Sequence, residues 1–147
     1  MRLRLIIIAA FTACLTPSAL QAQSDMAPAA AVEERPRLVA ARFTAAWCPQ
    51  CRILEPRLDD VWPEYEGADI ERVRFDFTLP HRAPMRARAV EAGIEALYNQ
   101  LEGRTGFLVL MDRETGEVLE TITTEYDRED IGAALDRWLA ATADMES

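Results

Sequence analysis

Hydrophobic and polar positions along the first half of the chain predict a strand followed by an amphipathic helix. The segment "RLVAARF" (37–43) is apolar on both faces except at Arg42, which is typical of a central strand covered by helices on both sides. From Pro49 the apolar positions recur about every 3.6 residues as far as "EGAD" (66–69), so a helix is expected there, with a kink at Pro56. The predicted inner face of this helix consists of Ile53, Leu54, Leu58, Val61, Trp62 and Tyr65.

The second half of the chain continues this alternation. "ERVRFDFT" (71–78) has the period of a half-buried strand, and a second helix is predicted over 84–101. "GFLVLMD" (106–112) and "EVLETIT" (117–123) predict two strands that pair as a hairpin, and Asp127 is suited to cap a final helix. The predicted inner faces are Val90, Ile94, Leu97 and Leu101 in the second helix, and Ile131, Leu135, Trp138 and Leu139 in the last. The order β-α-β-α-β-β-α is that of an α/β protein.

The first 22 residues have the layout of a secretory signal peptide. Arg2 and Arg4 precede a short apolar run (5–13), and small residues lead to a cleavage position expected after Ala22. The apolar run is too short to cross a bilayer as a helix, and no other stretch is apolar enough to do so. A lipoprotein signal ending at Cys14 is the second interpretation, and membrane contact through a lipid anchor is expected only in that case.

Removal of the signal leaves one predicted domain, at 37–142. The preceding Ala/Pro-rich segment (23–36) is predicted to be a flexible tether, and 143–147 a short C-terminal tail. We therefore expect a periplasmic or secreted protein, in a compartment where disulfides persist. The net charge of −9 argues against a nucleic-acid partner and against anionic membrane surfaces.

The segment "FTAAWCPQCRILEP" (43–56) places Cys48 and Cys51 where the first strand gives way to the first helix. Backbone N–H groups and the helix dipole stabilise a thiolate at such a position, and can lower the pKa of a cysteine from about 8.5 to as low as ~3.5. Cys51 lies one helical turn further on the same side, within reach of a disulfide. We therefore predict a redox dithiol, in which an exposed Cys48 forms a mixed disulfide and a sheltered Cys51 resolves it.

Three other uses of the cysteine pair have less support. A zinc site needs about four ligands, but once the signal is removed Cys48, Cys51 and His81 are the only soft or borderline candidates, so no metal site is predicted. A copper-handling dithiol would need His81 or a methionine within reach of the sulfurs. A purely structural disulfide closing so short a loop would stabilise the fold little. No cofactor is expected.

The segment "FTAAWCPQCRILEPRLDDVWPEYEG" (43–67) resembles the active-site segment of the thioredoxin family, which has an aromatic residue, small residues, Trp-Cys-x-x-Cys, a helix and a proline within that helix. The similarity continues as a pattern through "GRTGFLVLMDRETGEV" (103–118) to the closing helix, and covers about 37–142. The resemblance implies a thioredoxin-like three-layer fold, with a four-stranded mixed sheet flanked by helices.

The same resemblance implies roles for the residues around the cysteines. Cys48 would be the attacking thiol, Cys51 the resolving thiol, and Trp47 the aromatic side chain beside them. Pro49 and Gln50, which lie between the cysteines, would tune the reduction potential. The catalytic pair is therefore expected to be Cys48 and Cys51, with the neighbouring residues shaping the site.

Two positions depart from the family pattern. Thr105 stands where the family usually has a cis-proline facing the dithiol. A non-proline cis bond costs about 2.5–4 kcal/mol, so a trans peptide or a rearranged loop is expected there. Arg42 stands where the family usually has a buried acid that helps to deprotonate the resolving thiol. Either Arg42 favours the thiolate, and so a more oxidising couple, or it reaches the sheet edge and contacts neither sulfur. Asp76 is its expected ion-pair partner.

These features predict an exported thiol–disulfide oxidoreductase that acts on client proteins with cysteines or disulfides. A membrane-borne redox partner is expected to restore its redox state, because no soluble pool does so in the periplasm. The alternative from a different class is a non-catalytic binding or docking module, whose substrate groove is altered at Thr105. A copper-handling dithiol protein is the weaker third hypothesis.

Overall fold

A four-stranded mixed sheet forms the centre of the computed structural model, which describes residues 35–144. Its strands are β1 (Leu38–Thr44), β2 (Ile70–Asp76), β3 (Phe107–Asp112) and β4 (Val118–Ile122). Their order in the sheet is β2-β1-β3-β4, with β1 parallel to β2 and antiparallel to β3, and with β3 antiparallel to β4. The predicted signal peptide, most of the predicted tether and the last three residues of the tail lie outside the described residues.

Helices cover both faces of this sheet. They are α1 (Pro49–Val61), α2 (Arg82–Glu91), α3 (Glu95–Leu101) and α4 (Arg128–Asp144), with a short 3-10 turn at Trp62–Tyr65. Helices α1 and α4 pack on one face, while α2 and α3 pack on the other. Strand β1 is buried on both faces because its side chains alternate between the two hydrophobic clusters. The predicted α/β arrangement of three layers around a four-stranded mixed sheet is confirmed. Between residues 35 and 144, no helix combines the length and apolar character needed to cross a membrane.

The single helix predicted over 84–101 is wrong, because the chain forms two helices there. Gly93 adopts a left-handed φ of 71° and ends α2. The N–H of Ile94 bonds to the carbonyl of Ala89 at 2.9 Å, and that of Gly93 bonds to Val90 at 3.0 Å, which is the hydrogen-bonding pattern of a Schellman cap. Helix α2 buries Met85 and Ala89, and Val90 beside them is 55% exposed, which contradicts its predicted inner position, whereas Ile94 is buried as predicted.

The first and last helices follow their predicted patterns, with one difference in the first helix. Helix α1 buries Leu54, Leu58 and Val61, but Ile53 is half exposed and does not belong to the inner face. Helix α4 buries Ile131 and Leu135. Its start is capped by Asp127, as predicted, and Asp130 returns a bond that was not predicted. Asp127 Oδ1 accepts the N–H of Asp130 at 2.9 Å, and Asp130 Oδ2 accepts the N–H of Asp127 at 3.2 Å.

The amino end of β1 is fixed by a buried ion pair that was not predicted from the sequence. Arg37 donates to Asp112 Oδ2 from Nε at 3.0 Å and from Nη2 at 2.8 Å, and both side chains are almost inaccessible. Asp112 Oδ1 accepts the backbone N–H groups of Glu114 at 2.8 Å and Thr115 at 3.2 Å. Burial raises the pKa of Asp112, but Arg37 and these N–H groups outweigh it, so its pKa lies below the usual value.

Candidate active site

The two cysteines lie where β1 gives way to α1, and they are joined by a disulfide. Their Cα atoms are 5.3 Å apart. Cys48 has extended backbone angles and is the N-cap of α1, with Pro49 in the first turn. Its Sγ accepts the backbone N–H of Cys51 at 3.2 Å. The sulfur therefore occupies the position where free N–H groups and the helix dipole favour negative charge.

Both cysteines are buried, which contradicts the predicted contrast between an exposed Cys48 and a sheltered Cys51. Cys48 is 2% exposed and Cys51 is 4% exposed. Cys48 is covered by two neighbours. Gln50 Oε1 lies 3.7 Å from its Sγ, and the backbone of Gly106 lies so close that an added Cβ would be 3.4 Å from this sulfur. The prediction is therefore wrong for the disulfide-bonded form.

Aromatic side chains form a layer on the same side of the sheet as the dithiol. Phe43 is the central ring, 5.0 Å from Phe75 and 5.1 Å from Phe107 between centroids. Tyr98 of α3 packs on Phe75 at 5.0 Å, and these rings belong to the same buried cluster as Cys48 and Cys51. Because such a cluster is closely packed, it holds the strand–helix junction and the two sulfurs in a fixed place.

The loop that contains Thr105 borders the dithiol. The N–H of Gly106 bonds to the carbonyl of Phe43 at 2.9 Å, which fixes the loop to the end of β1. Gly106 has a φ of 98°, and an added Cβ would lie only 2.8 Å from the Cβ of Gln50. Thr105 is partly exposed beside it, and no peptide bond within residues 35–144 is cis, so the bond before Thr105 is trans.

Exposed side chains surround the cysteines. Trp47 is 58% exposed, Pro49 and Gln50 are exposed, and Leu79 of the loop after β2 is 61% exposed. The loops that carry Trp47 and Leu79 are in contact. The N–H of Ala46, which precedes Trp47, donates to Oγ1 of Thr78, which precedes Leu79, at 2.9 Å.

Arg42 lies under α1 and pairs with carboxylates of that helix. Its Nε is 3.5 Å from Glu55 Oε1, and its Nη1 is 3.2 Å from Asp59 Oδ1. The expected pair with Asp76 is wrong, because Asp76 pairs with Arg74 at 3.1 Å. The strand register explains this result, since it sets Arg74 opposite Arg42 and sets Asp76 opposite Thr44.

The pKa of Asp76 is lowered by its surroundings. Burial raises it, but hydrogen bonds from the hydroxyl and N–H of Thr78 and the charges of Arg74 and Arg42 outweigh burial. One oxygen of Asp76 accepts both bonds from Thr78, and the other accepts one from Arg74. Its main role is therefore to hold the loop after β2 against the loop that precedes the cysteines.

Glu55 borders the site, although it was not among the residues predicted for it. It lines an open groove of about 410 Å³ together with Cys51, Arg74, Asp76 and several loop residues. Its Oε1 is buried and accepts no hydrogen bond. The spacing of four residues from Cys51 is the signal that could have identified it, because residues four apart share one side of a helix.

Metal ligands are not clustered in the part of the chain that the structure describes, since residues 35–144 contain no group of three or more His, Cys, Asp or Glu side chains that could hold an ion. His81 is exposed at the start of α2 and makes no side-chain capping bond.

A family model and several solved structures are similar to this chain. A family model described as thioredoxin matches residues 21–92. Comparison with curated proteins gives no significant match. Solved structures similar to this chain include Trxlp from Edwardsiella tarda, with 16% identity, 67% of this chain and 81% of the other covered, and a TM-score of 0.45. A thioredoxin-like protein from Aeropyrum pernix has 21% identity, 69% and 77% coverage and a TM-score of 0.43. StoA from Bacillus subtilis has 12% identity, 71% and 86% coverage and a TM-score of 0.48.

Proposed function

We propose that this chain, which belongs to the thioredoxin family, is an exported thiol–disulfide oxidoreductase that exchanges disulfides with client proteins through Cys48 and Cys51. The observation that carries the proposal is the disulfide at the first turn of α1, where Cys48 Sγ accepts the N–H of Cys51. A sulfur in that position is a stabilised thiolate when the disulfide is reduced, and the thiolate is the nucleophile in disulfide exchange.

The exchange has two steps when the dithiol reduces a client. The Cys48 thiolate attacks one sulfur of the client disulfide, a Cys48–client disulfide forms, and the other client sulfur leaves as a thiolate. Cys51 then loses its proton and attacks Cys48 Sγ, which forms the Cys48–Cys51 disulfide and releases the second client thiolate. Two electrons pass from the dithiol to the client. In reverse, the same steps transfer the disulfide to a client dithiol. The second attack is fast because α1 holds Cys51 beside Cys48.

Clients are proposed to be proteins, because apolar side chains lie exposed on the loops next to the sulfurs. Trp47 and Leu79 offer contact area, while the loop of the partly exposed Thr105 approaches Cys48 through Gly106. Exposed aromatic and aliphatic groups of this kind contribute the apolar part of a protein interface. Buried Cys48 would become accessible when a client displaces the exposed side chain of Gln50.

Export is part of the proposal and rests on the signal-like first 22 residues of the sequence. In the periplasm or outside the cell, a membrane-borne redox partner would return the dithiol to its active state. If Cys14 were instead the lipidated cysteine of a lipoprotein, the domain would act from a membrane anchor. Detection of the chain after osmotic release from cells, with and without Cys14→Ser, tests both forms of export.

Trapping of the mixed disulfide tests the exchange itself. In a full chain with Cys14→Ser, the added change Cys51→Ser should leave a Cys48–insulin disulfide that a non-reducing gel detects, because the resolving thiol is absent. Cys48→Ser in the same background should trap little or none. The parent with both cysteines should accelerate reduction of insulin by dithiothreitol. If neither variant traps insulin and the parent gives no acceleration, the proposed function is wrong.

Two observations favour a second candidate, a binding module without turnover. Both cysteines are buried in the disulfide-bonded form, and Thr105 replaces the proline that the family usually has beside the dithiol. Such a module would bind a partner equally well with Cys48 and Cys51 both changed to serine. A module without turnover would also give no insulin reduction with both cysteines present, whereas an oxidoreductase would reduce insulin as the parent and lose that activity in the double variant.

A further inference from the structure

We propose that Glu55 is the proton acceptor for Cys51 in the resolving step. This inference rests on the proposed function, since it concerns the second of the two exchange steps. Cys51 is 4% exposed, and a thiol must lose its proton before it attacks a disulfide. Because so little of Cys51 meets bulk water, the proton must leave through a group or a water molecule next to it.

An open groove of about 410 Å³ provides the route. Cys51 and Glu55 both line it, along with Arg74 and Asp76 of β2 and residues of the adjoining loops. Cys51 and Glu55 are four residues apart in α1 and therefore lie on the same side of the helix. The groove is wide enough for water, so a proton can pass from the thiol to the carboxylate directly or through one water molecule.

Of the two carboxylates in the groove, Glu55 has the free acceptor capacity. Both oxygens of Asp76 are engaged, one by the hydroxyl and N–H of Thr78 and the other by Arg74. Glu55 Oε1 is buried without a hydrogen bond, and its two cationic neighbours are at ion-pair distances, Arg42 at 3.5 Å and Arg74 at 3.6 Å. A proton on Glu55 therefore replaces no existing hydrogen bond, whereas a proton on Asp76 would disrupt the loop that it holds.

Charged groups reach Glu55 from three elements. Arg42 approaches from β1 and Arg74 from β2, with Asp76 further along β2. On α1 itself, Arg52 lines the same groove, and Asp59 shares Arg42 with Glu55. The two arginines hold the Glu55 side chain at ion-pair distance beside the groove.

The step is balanced in protons and electrons. The Cys51 thiol passes its proton to the Glu55 carboxylate, and the resulting thiolate attacks Cys48 Sγ in the mixed disulfide. The Cys48–Cys51 bond forms, the Cys48–client bond breaks, and the client sulfur leaves with the electron pair. Glu55 then releases its proton through the groove to the leaving thiolate or to water. Glu55 acts through Cys51 and has no role in the first attack by Cys48.

The test follows the two attacks separately with the full reduced chain carrying Cys14→Ser. Reaction with dithionitrobenzoate releases one thionitrobenzoate anion when Cys48 attacks and a second when Cys51 resolves the mixed disulfide. The thionitrobenzoate anion leaves without taking up a proton, so the rate of the second phase reports how readily Cys51 loses its proton. For Glu55→Gln we expect the second phase to slow about 100-fold near neutral pH, and to depend more steeply on pH, because hydroxide must then remove the proton. The first phase should be unchanged.

Three variants control for a structural effect. Asp59→Asn also removes a partner of Arg42 but does not line the groove, and it should keep the parental pH profile. Asp76→Asn removes the other carboxylate of the groove and should slow the second phase much less than Glu55→Gln. Glu55→Asp should recover a substantial part of the rate. The measurement is restricted to variants whose circular dichroism and unfolding midpoint show a folded chain.

The outcomes separate this inference from the proposed function. If the second phase of Glu55→Gln keeps the parental rate, or if Asp76→Asn slows this phase more than Glu55→Gln does, the role of Glu55 is overturned. The proposed oxidoreductase function is not affected by either result. Should Glu55→Gln not fold, an unchanged pH profile in Glu55→Asp would likewise contradict the inference. Failure of Cys48 to form any mixed disulfide with insulin in the Cys51→Ser chain contradicts the proposed function itself.

Discussion

The two ends of strand β1 each pair an arginine with carboxylates, but only one end satisfies the hydrogen bonds of its carboxylate. At the amino end, both oxygens of Asp112 are engaged by Arg37 and by two backbone N–H groups of the following turn. At the carboxyl end, Glu55 lies at ion-pair distance from Arg42, and its buried Oε1 accepts no hydrogen bond. The same residue types thus form a closed arrangement at one end and an open one at the other.

The carboxylates at the two ends of β1 therefore differ in what they can do. A carboxylate with every acceptor position engaged cannot take up a proton without losing native bonds, so the Arg37–Asp112 pair serves to fix the fold. A carboxylate with a free acceptor position beside the dithiol can exchange protons without such a loss. An ion pair alone therefore does not distinguish a structural carboxylate from one that can take up a proton. The distinction depends on whether each carboxylate oxygen already accepts hydrogen bonds.

Removal of Asp112 should have the largest effect on stability. We expect Asp112→Ala to lower the free energy of unfolding by about 3–5 kcal/mol, because it removes the buried carboxylate that pairs with the buried Arg37 guanidinium. Urea unfolding of the oxidised full chain measures this change. Both phases of the dithionitrobenzoate reaction should keep their parental rates in the folded variant. A loss below about 1 kcal/mol would show that the closed arrangement does not stabilise the fold.

Substitution of alanine for Gly116, near the amino end of β1, and for Gly106, near its carboxyl end, should lower stability by unequal amounts. Gly116 has a φ of 71° with nothing near its added Cβ, so Gly116→Ala should cost about 1 kcal/mol through backbone strain alone. Gly106 has a φ of 98°, and its added Cβ would lie 2.8 Å from the Cβ of Gln50. Gly106→Ala should therefore cost about 2–3 kcal/mol and also slow attack by Cys48. Thermal unfolding and the first phase of the dithionitrobenzoate reaction measure these effects. Equal losses would contradict the close approach at Gly106.

The contribution of Asp112 should disappear in acid. Its pKa is lowered in the folded chain from the ordinary value of 3.8, so the unfolded state takes up the proton first as the pH falls. The stabilisation is complete above the unfolded pKa and is lost as the pH falls through the folded pKa. We expect the difference in unfolding free energy between the parent and Asp112→Asn to be constant at neutral pH and to shrink below about pH 4. Urea titrations at a series of pH values test this, and a difference that grows in acid would contradict it.

The smallest effect is expected at Asp59, the exposed partner of Arg42. Its side chain is 66% exposed, so water screens the pair, and Asp59→Asn should change the free energy of unfolding by about 0.5 kcal/mol or less. Comparison with Asp112→Asn in the same urea titration tests whether burial and complete hydrogen bonding set the strength of these pairs. A loss at Asp59 as large as that at Asp112 would remove the distinction between the two ends.

The sequence was sufficient for features that depend on local pattern. Alternation and helical period identified the four strands, and the change of period at Pro49 placed the cysteine pair at a helix start. The break at Gly93 was also a local signal, since a glycine in a helical pattern can act as a C-cap, but it was missed because the apolar spacing continues past it.

Features that depend on partners distant in sequence could not be predicted in the same way. The partner of Arg42 was assigned to Asp76, whereas the strand register brings Arg74 opposite Arg42 and α1 supplies Glu55 and Asp59. The depth of Cys48 depends on the loop at Gly106, which is 58 positions further along the chain. Neither hydrophobic period nor motif spacing contains this information, because it arises only when the sheet assembles.

The cover over Cys48 has one rigid and one mobile component. The Gly106 backbone is bonded to Phe43, whereas Gln50 contributes a long exposed side chain. Exposed side chains change rotamer within picoseconds to nanoseconds, far faster than disulfide exchange proceeds. Rotation of the Gln50 amide therefore removes only one part of the cover, and the Gly106 backbone still fixes the side from which a client sulfur can approach Cys48.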